Sequence, residues 1–179
     1  MSATVTSIAA ALQRVQSVFQ RRPEAALDED APALSRWTGG MRVVTQHADG
    51  HEISTDMPLE LGGSGDQVSP GWLVRAGLAS CTATRIAMSA ATEGIVLDLL
   101  EVEAGSRSDA RGLLGMSETD GRPVPAGPLD MRLRVRLSAR GVAADRLRAL
   151  VEASCHHSPV GDVIETALPI ELQIDVLAH

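Results

Sequence analysis

Three segments of this 179-residue chain alternate apolar and polar side chains with a period of two. Leu100, Val102 and Ala104 alternate with Glu101 and Glu103, and Met131, Leu133, Val135 and Leu137 with Arg132, Arg134 and Arg136. Near the C-terminus Ile170, Leu172, Ile174 and Val176 alternate with Glu171, Gln173 and Asp175. A period of two sends successive side chains to opposite faces of a strand, so each segment predicts a strand with one apolar and one solvated face. The arginine row is open to two readings, an anion-binding or nucleic-acid patch and the solvent face of an antiparallel sheet. The acidic rows favour the second, because opposite charges on neighbouring strands attract by about 0.2–1 kcal/mol per pair.

Helical periodicity supplies further elements. Over residues 70–93 Trp72, Ala76, Ala79, Ala83, Ile86 and Ala90 recur at steps of four and three, which predicts a helix whose small-residue face lets another helix approach closely. Gly94 stops it. A helix over 2–22 carries Ile8, Leu12, Val15 and Phe19 on one stripe, and Pro23 ends it ahead of an acidic, Ala-rich connector to Pro32. Another is expected over about 142–156, with Leu147, Leu150, Val151 and Ser154 on one side. Between 34 and 61, Gly39-Gly40 and Asp49-Gly50 read as turns around a strand from Met41 to Gln46, with a second short strand through Ile53. The polar, Gly- and Pro-containing stretch 105–128 predicts loops or a hairpin.

Composition excludes several functions. All 16 basic residues are Arg, so no lysine is present for Schiff-base, pyridoxal-phosphate or phosphate-loop chemistry. The net charge of −7 and the three aromatic residues, Phe19, Trp37 and Trp72, give no support for nucleic-acid binding. The longest apolar stretch, Trp72 to Ala91, is broken by Arg75 and Arg85 and reads as no membrane span. Two cysteines, Cys81 and Cys155, are too few for a secreted disulfide framework, and no signal peptide is recognisable. A soluble, cytoplasmic protein with reduced thiols is expected, and no cofactor is called for.

Cys81 lies in mid-helix, one position off the expected core face. Helical side chains lean toward the N-terminus, so Gly77, four residues earlier, leaves open space where the thiol points. Two readings follow from the residues, an inert structural thiol and a thiol beside a slot that admits a substrate. Cys155 is followed by His156 and His157; contiguous residues project in different directions and lack metal-ligand spacing, so no metal site is expected.

The run Ser69-Pro70-Gly71-Trp72-Leu73-Val74-Arg75-Ala76-Gly77-Leu78-Ala79-Ser80-Cys81 resembles the Ser/Asn-Pro-x-x-Leu-Leu to Ser-Cys segment of the OsmC/Ohr family of osmotically induced proteins and organic hydroperoxide reductases. Thr38-Gly39-Gly40-Met41-Arg42, Leu61-Gly62-Gly63, Ser158-Pro159-Val160 and Leu168-Pro169-Ile170-Glu171-Leu172 fall in the family's order. The resemblance implies an α+β fold with antiparallel sheets wrapped around a long central helix, in an intertwined homodimer with its sites at the subunit interface. Residues 33–179 would form that domain, and 1–32 an added N-terminal helix and connector. In the family's peroxidases one cysteine is oxidised by an organic hydroperoxide to a sulfenic acid, a second condenses with it, and an external dithiol reduces the disulfide.

Carried over by position, Cys81 matches the reacting cysteine and Arg42 the thiolate-stabilising arginine, with Arg36 as the alternative. The family's Glu after the Pro is Gly71 here, and its second cysteine is Ser158. Cys155, three residues earlier, is the candidate displaced resolving thiol. The resemblance therefore implies a divergent member. Either Cys81 reduces hydroperoxides with the help of an external or displaced thiol, or the chain is a non-catalytic dimer that binds a small apolar or thiol-containing ligand.

Overall fold

The computed structural model describes residues 3–177. Helix α1 spans Ala3–Arg21, and a single 3-10 turn at Pro23–Ala26 opens the connector. Strands β1 (Leu34–Gly39), β2 (Arg42–Gln46) and β3 (Glu52–Thr55) form an antiparallel meander. Its tight first turn places Gly39 and Gly40 at φ of 120° and 57°, a region that costs glycine little. Helix α2 (Pro70–Thr92) follows, then β4 (Leu99–Ser108), the short α3 (Ala110–Leu113), β5 (Pro128–Ser138), α4 (Ala144–Cys155) and α5 (Pro159–Thr166).

The β4–β5 ribbon bears out the charge pattern. Glu101 stands opposite Arg136 and Glu103 opposite Arg134, and Arg136 donates to Glu101 at 2.8 Å. The arginine row is therefore the solvent face of a sheet. Its apolar face closes on the core, where Ile86 and Ala90 of α2, Ile95, and Leu147 and Leu150 of α4 are buried against Leu100, Val102, Val135 and Leu137.

Three expectations are corrected. The buried residues of α2 are Leu78, Thr82, Ile86, Ala90 and Ala91, not the Trp72, Ala76, Ala79 and Ala83 row. A row at steps of four runs along one flank of the helix, and it is this flank that meets α4 and the ribbon. Trp72 is left exposed. Residues 170–176 form no strand within the single chain; they are extended and exposed, because none of the chain's own sheet edges pairs with them. Helix α5 was not foreseen, although Ser158 before Pro159, with Val160, Val163 and Ile164 behind, carries a start signal and an apolar stripe.

Candidate functional site

Ser69 begins α2 as its extended N-cap residue, and Pro70 supplies the fixed φ of the first turn. Cys81 falls three turns later as a free, half-buried thiol. A Cβ built on Gly77 would meet no atom within 4 Å. The slot expected beside Cys81 is thus open in the single chain.

Arg42 begins β2, and its guanidinium is claimed by the loop before α2. It donates to Asp56 at 3.1 Å and to Ser64 at 2.8 Å, and it pairs with Asp66. Asp56 is buried and also accepts from the backbone N–H groups of Met57 and Ser64 and from the Ser64 hydroxyl. The Ser64 hydroxyl contributes most, and with Arg42 and the two N–H groups it outweighs burial, holding the Asp56 carboxyl well below the usual carboxylate range. Gly63 makes this closure feasible, since a Cβ there would stand 1.8 Å from the Met57 carbonyl oxygen. Two carboxylates on one guanidinium leave a net negative cluster. Among the described residues no hydrogen bond or ion pair joins Arg42 to Cys81. Arg36 is exposed on β1 and donates to Gln46.

Cys155 ends α4, and Ser158 is the N-cap residue of α5. Together with Leu78 and Thr82 of α2, Met131 of β5 and Ile164 of α5, they line a cavity of about 250 Å³. Burial raises the Cys155 thiol above the ordinary value, and the Glu165 carboxylate adds to the shift. Cys155 is therefore held as a neutral thiol, the less reactive form. Cys81 is not among the residues lining that cavity. The structure brings Cys155 and Ser158 together in the lining of one cavity. Sequence reasoning missed Thr82, whose hydroxyl no hydropathy pattern assigns to a core position.

Gly71, where the family's Glu would stand, has only the Arg75 guanidinium near it, 3.9 Å from a built Cβ. Arg75 itself donates to Ser106 of β4. Among the described residues no helix is long and apolar enough to cross a membrane.

The chain superposes on solved structures of similar subunits. It covers 78% of its own length and 93% of an organic hydroperoxide resistance protein OsmC from Legionella pneumophila, at 21% identity and a TM-score of 0.56. For an OsmC-like protein from Mycoplasma pneumoniae the values are 79%, 91%, 13% and 0.64. For a putative organic hydroperoxide resistance protein from Vibrio cholerae, solved with captopril in one of its active sites, they are 79%, 89%, 21% and 0.52. These likenesses show the fold. A comparison with curated proteins finds no match. The model of the OsmC-like protein family matches residues 63–173, more than half of the chain and all of α2 through α5, and the chain belongs to that family.

Proposed function

We propose that the protein reduces organic hydroperoxides through Cys81, with a thiol from outside the chain completing the cycle. The observation that carries this reading is the half-buried Cys81 thiol beside the open position at Gly77. The Cys81 thiolate attacks the terminal peroxide oxygen. An S–O bond forms as the O–O bond breaks, the alkoxide leaves and takes up a proton as the alcohol, and the sulfur becomes a sulfenic acid. One external thiol condenses with the sulfenic acid, releasing water and leaving a mixed disulfide. A second external thiol displaces Cys81 and departs as part of a new disulfide. Ser158 cannot take the resolving role, and the neutral Cys155 thiol is poorly suited to it.

The reading extends to assembly and place. A homodimer accounts for the exposed Trp72 of α2 and the uncovered C-terminal segment, and the cytoplasm supplies reduced thiols. The test is to treat the reduced protein with cumene hydroperoxide and trap sulfenic acid with dimedone. Mass spectrometry should find the adduct on Cys81 at a rate well above that of free cysteine, unchanged by Cys155→Ser and absent in Cys81→Ser. Oxidation no faster than free cysteine would overturn the proposal.

A second reading is favoured by the Arg42 cluster, whose two carboxylates occupy the cation expected to stabilise a thiolate. In that reading the chain is a non-catalytic dimer that holds a small apolar or thiol-containing ligand at the subunit interface. Binding would then survive Cys81→Ser.

A further inference from the structure

Arg85 is a cation that the fold leaves without a use. Of the chain's arginines, Arg42, Arg75 and Arg85 are half-buried and the rest are exposed. Arg42 is held by Asp56, Ser64 and Asp66, and Arg75 donates to Ser106 at 3.1 Å. Arg85 makes no hydrogen bond or ion pair among the described residues. It lines a groove between α1, α2 and the end of α4, where the one acid, Glu93, is taken by Arg146 at 2.6 Å. Leu12, Val15, Phe19 and Met88 give the groove an apolar wall. A half-buried guanidinium has lost part of its hydration, and this one has no carboxylate in exchange, so its donors are free for an anion.

Its place on α2 says which anion. Gly77, Cys81 and Arg85 follow one another at steps of four, so they form one row along the helix. Residues four apart have their Cβ atoms about 5–6 Å from each other, and helical side chains lean toward the N-terminus, so the long Arg85 side chain reaches the space beside the Cys81 thiol. We infer that Arg85 is a catalytic residue of the peroxide step, donating to the oxygen that leaves. The inference rests on the proposed reduction of hydroperoxides by Cys81. As the thiolate sulfur bonds to the terminal peroxide oxygen, the electron pair of the O–O bond passes to the second oxygen, and the negative charge moves from sulfur to that alkoxide. Arg85 hydrogen-bonds the alkoxide until it takes a proton from solvent and departs as the alcohol, and the guanidinium stays protonated throughout. The organic group carried by that oxygen then extends from Arg85 into the groove, against Phe19 and Met88. Leu12, Val15 and Phe19 belong to α1, outside the residues matched to the family, so this wall is the chain's own addition.

The test compares two reactions of the same sulfur. The full-length reduced protein and its Arg85→Gln and Arg85→Lys variants are treated with cumene hydroperoxide and, separately, with iodoacetamide, and the rate of modification at Cys81 is followed by mass spectrometry. Alkylation displaces iodide and develops no negative oxygen, so it registers the thiolate but not the leaving group. Arg85→Gln should slow sulfenic acid formation by about ten-fold or more while changing alkylation by less than about two-fold. Arg85→Lys keeps the charge without the planar fork and should recover part of the loss. Both variants should melt with the parent, because Arg85 has no partner to lose. Oxidation unchanged in Arg85→Gln, or equal losses in the two reactions, would overturn the assignment and leave the peroxidase proposal standing. A parent oxidised no faster than free cysteine would overturn both.

Discussion

Asp56 decides more at its position than the residues picked out by their chemistry. One carboxylate gathers Arg42, Ser64 and two backbone N–H groups, and so joins the meander to the loop that leads into α2. Its folded pKa lies below the unfolded one, so its stabilising effect is fully present above the unfolded value of about 3.9 and fades as the pH falls toward the folded value. Asp56→Asn keeps the shape but loses the charge. The variant is expected to melt several degrees below the parent at pH 7, with the gap narrowing progressively once the pH drops below about 4. Thermal melts of both proteins from pH 7 to pH 3 check this; a gap independent of pH would mean that the charge contributes nothing. None of this cluster was legible in the sequence. Asp56, Ser64 and Asp66 are scattered polar residues in a loop, and only the closure of the backbone over Gly63 brings them to Arg42. The position of Cys81 was legible, because Ser69-Pro70 and Gly94 fix the ends of α2 and hence what lies in its middle.

Among the elements, the long ones were read well and the short or conditional ones were not. β4 and β5 declared both their alternation and their mutual charges, so their pairing followed from Coulomb attraction and the pleat. The face of α2 was rotated because Thr82, fully buried, counts as polar in any hydropathy stripe. α5 was hidden by its length of eight residues, too short for periodicity to stand out. Helix α1 lies outside the family match, yet it runs against α2, where Leu12, Val15 and Phe19 face Met88 and Thr92 across a groove. These side chains are only partly covered. At roughly half the 1.5–3 kcal/mol of a fully buried apolar side chain, three or four of them contribute about 3 kcal/mol. Deleting residues 1–32 is therefore expected to leave a folded domain over 33–179 that is less stable by about that amount. Urea unfolding followed by circular dichroism measures it; a truncated chain without a cooperative transition would show that the extension is part of the domain.

At the scale of the whole molecule, the single chain leaves its apolar C-terminal segment uncovered. Ile170 is 93% exposed and Val176 88%, and Leu172, Ile174 and Leu177 are nearly as bare. Their alternation with Glu171, Gln173 and Asp175 is that of a one-sided strand without a sheet. β5 has β4 on one side only, and its polar face carries Arg132 and Arg134. A tail bearing Glu171 and Asp175 complements that face. Exchange of tails between two copies would satisfy both at once, as a two-fold interface requires. Five apolar side chains per tail, at about 1.5–3 kcal/mol each when buried, give about 15–30 kcal/mol gross for two tails. That exceeds or matches an association cost of about 4–15 kcal/mol, so the C-terminal segment alone is large enough to decide the oligomeric state. Light scattering after size exclusion is expected to give twice the 18.8 kDa chain mass. The double substitution Leu172→Glu and Ile174→Glu should give the single-chain mass, with a melting temperature that no longer rises with protein concentration. A parent that runs as a monomer would overturn the dimer, and a double variant that stays dimeric would place the interface elsewhere, with the exposed Trp72 of α2 as the next residue to substitute.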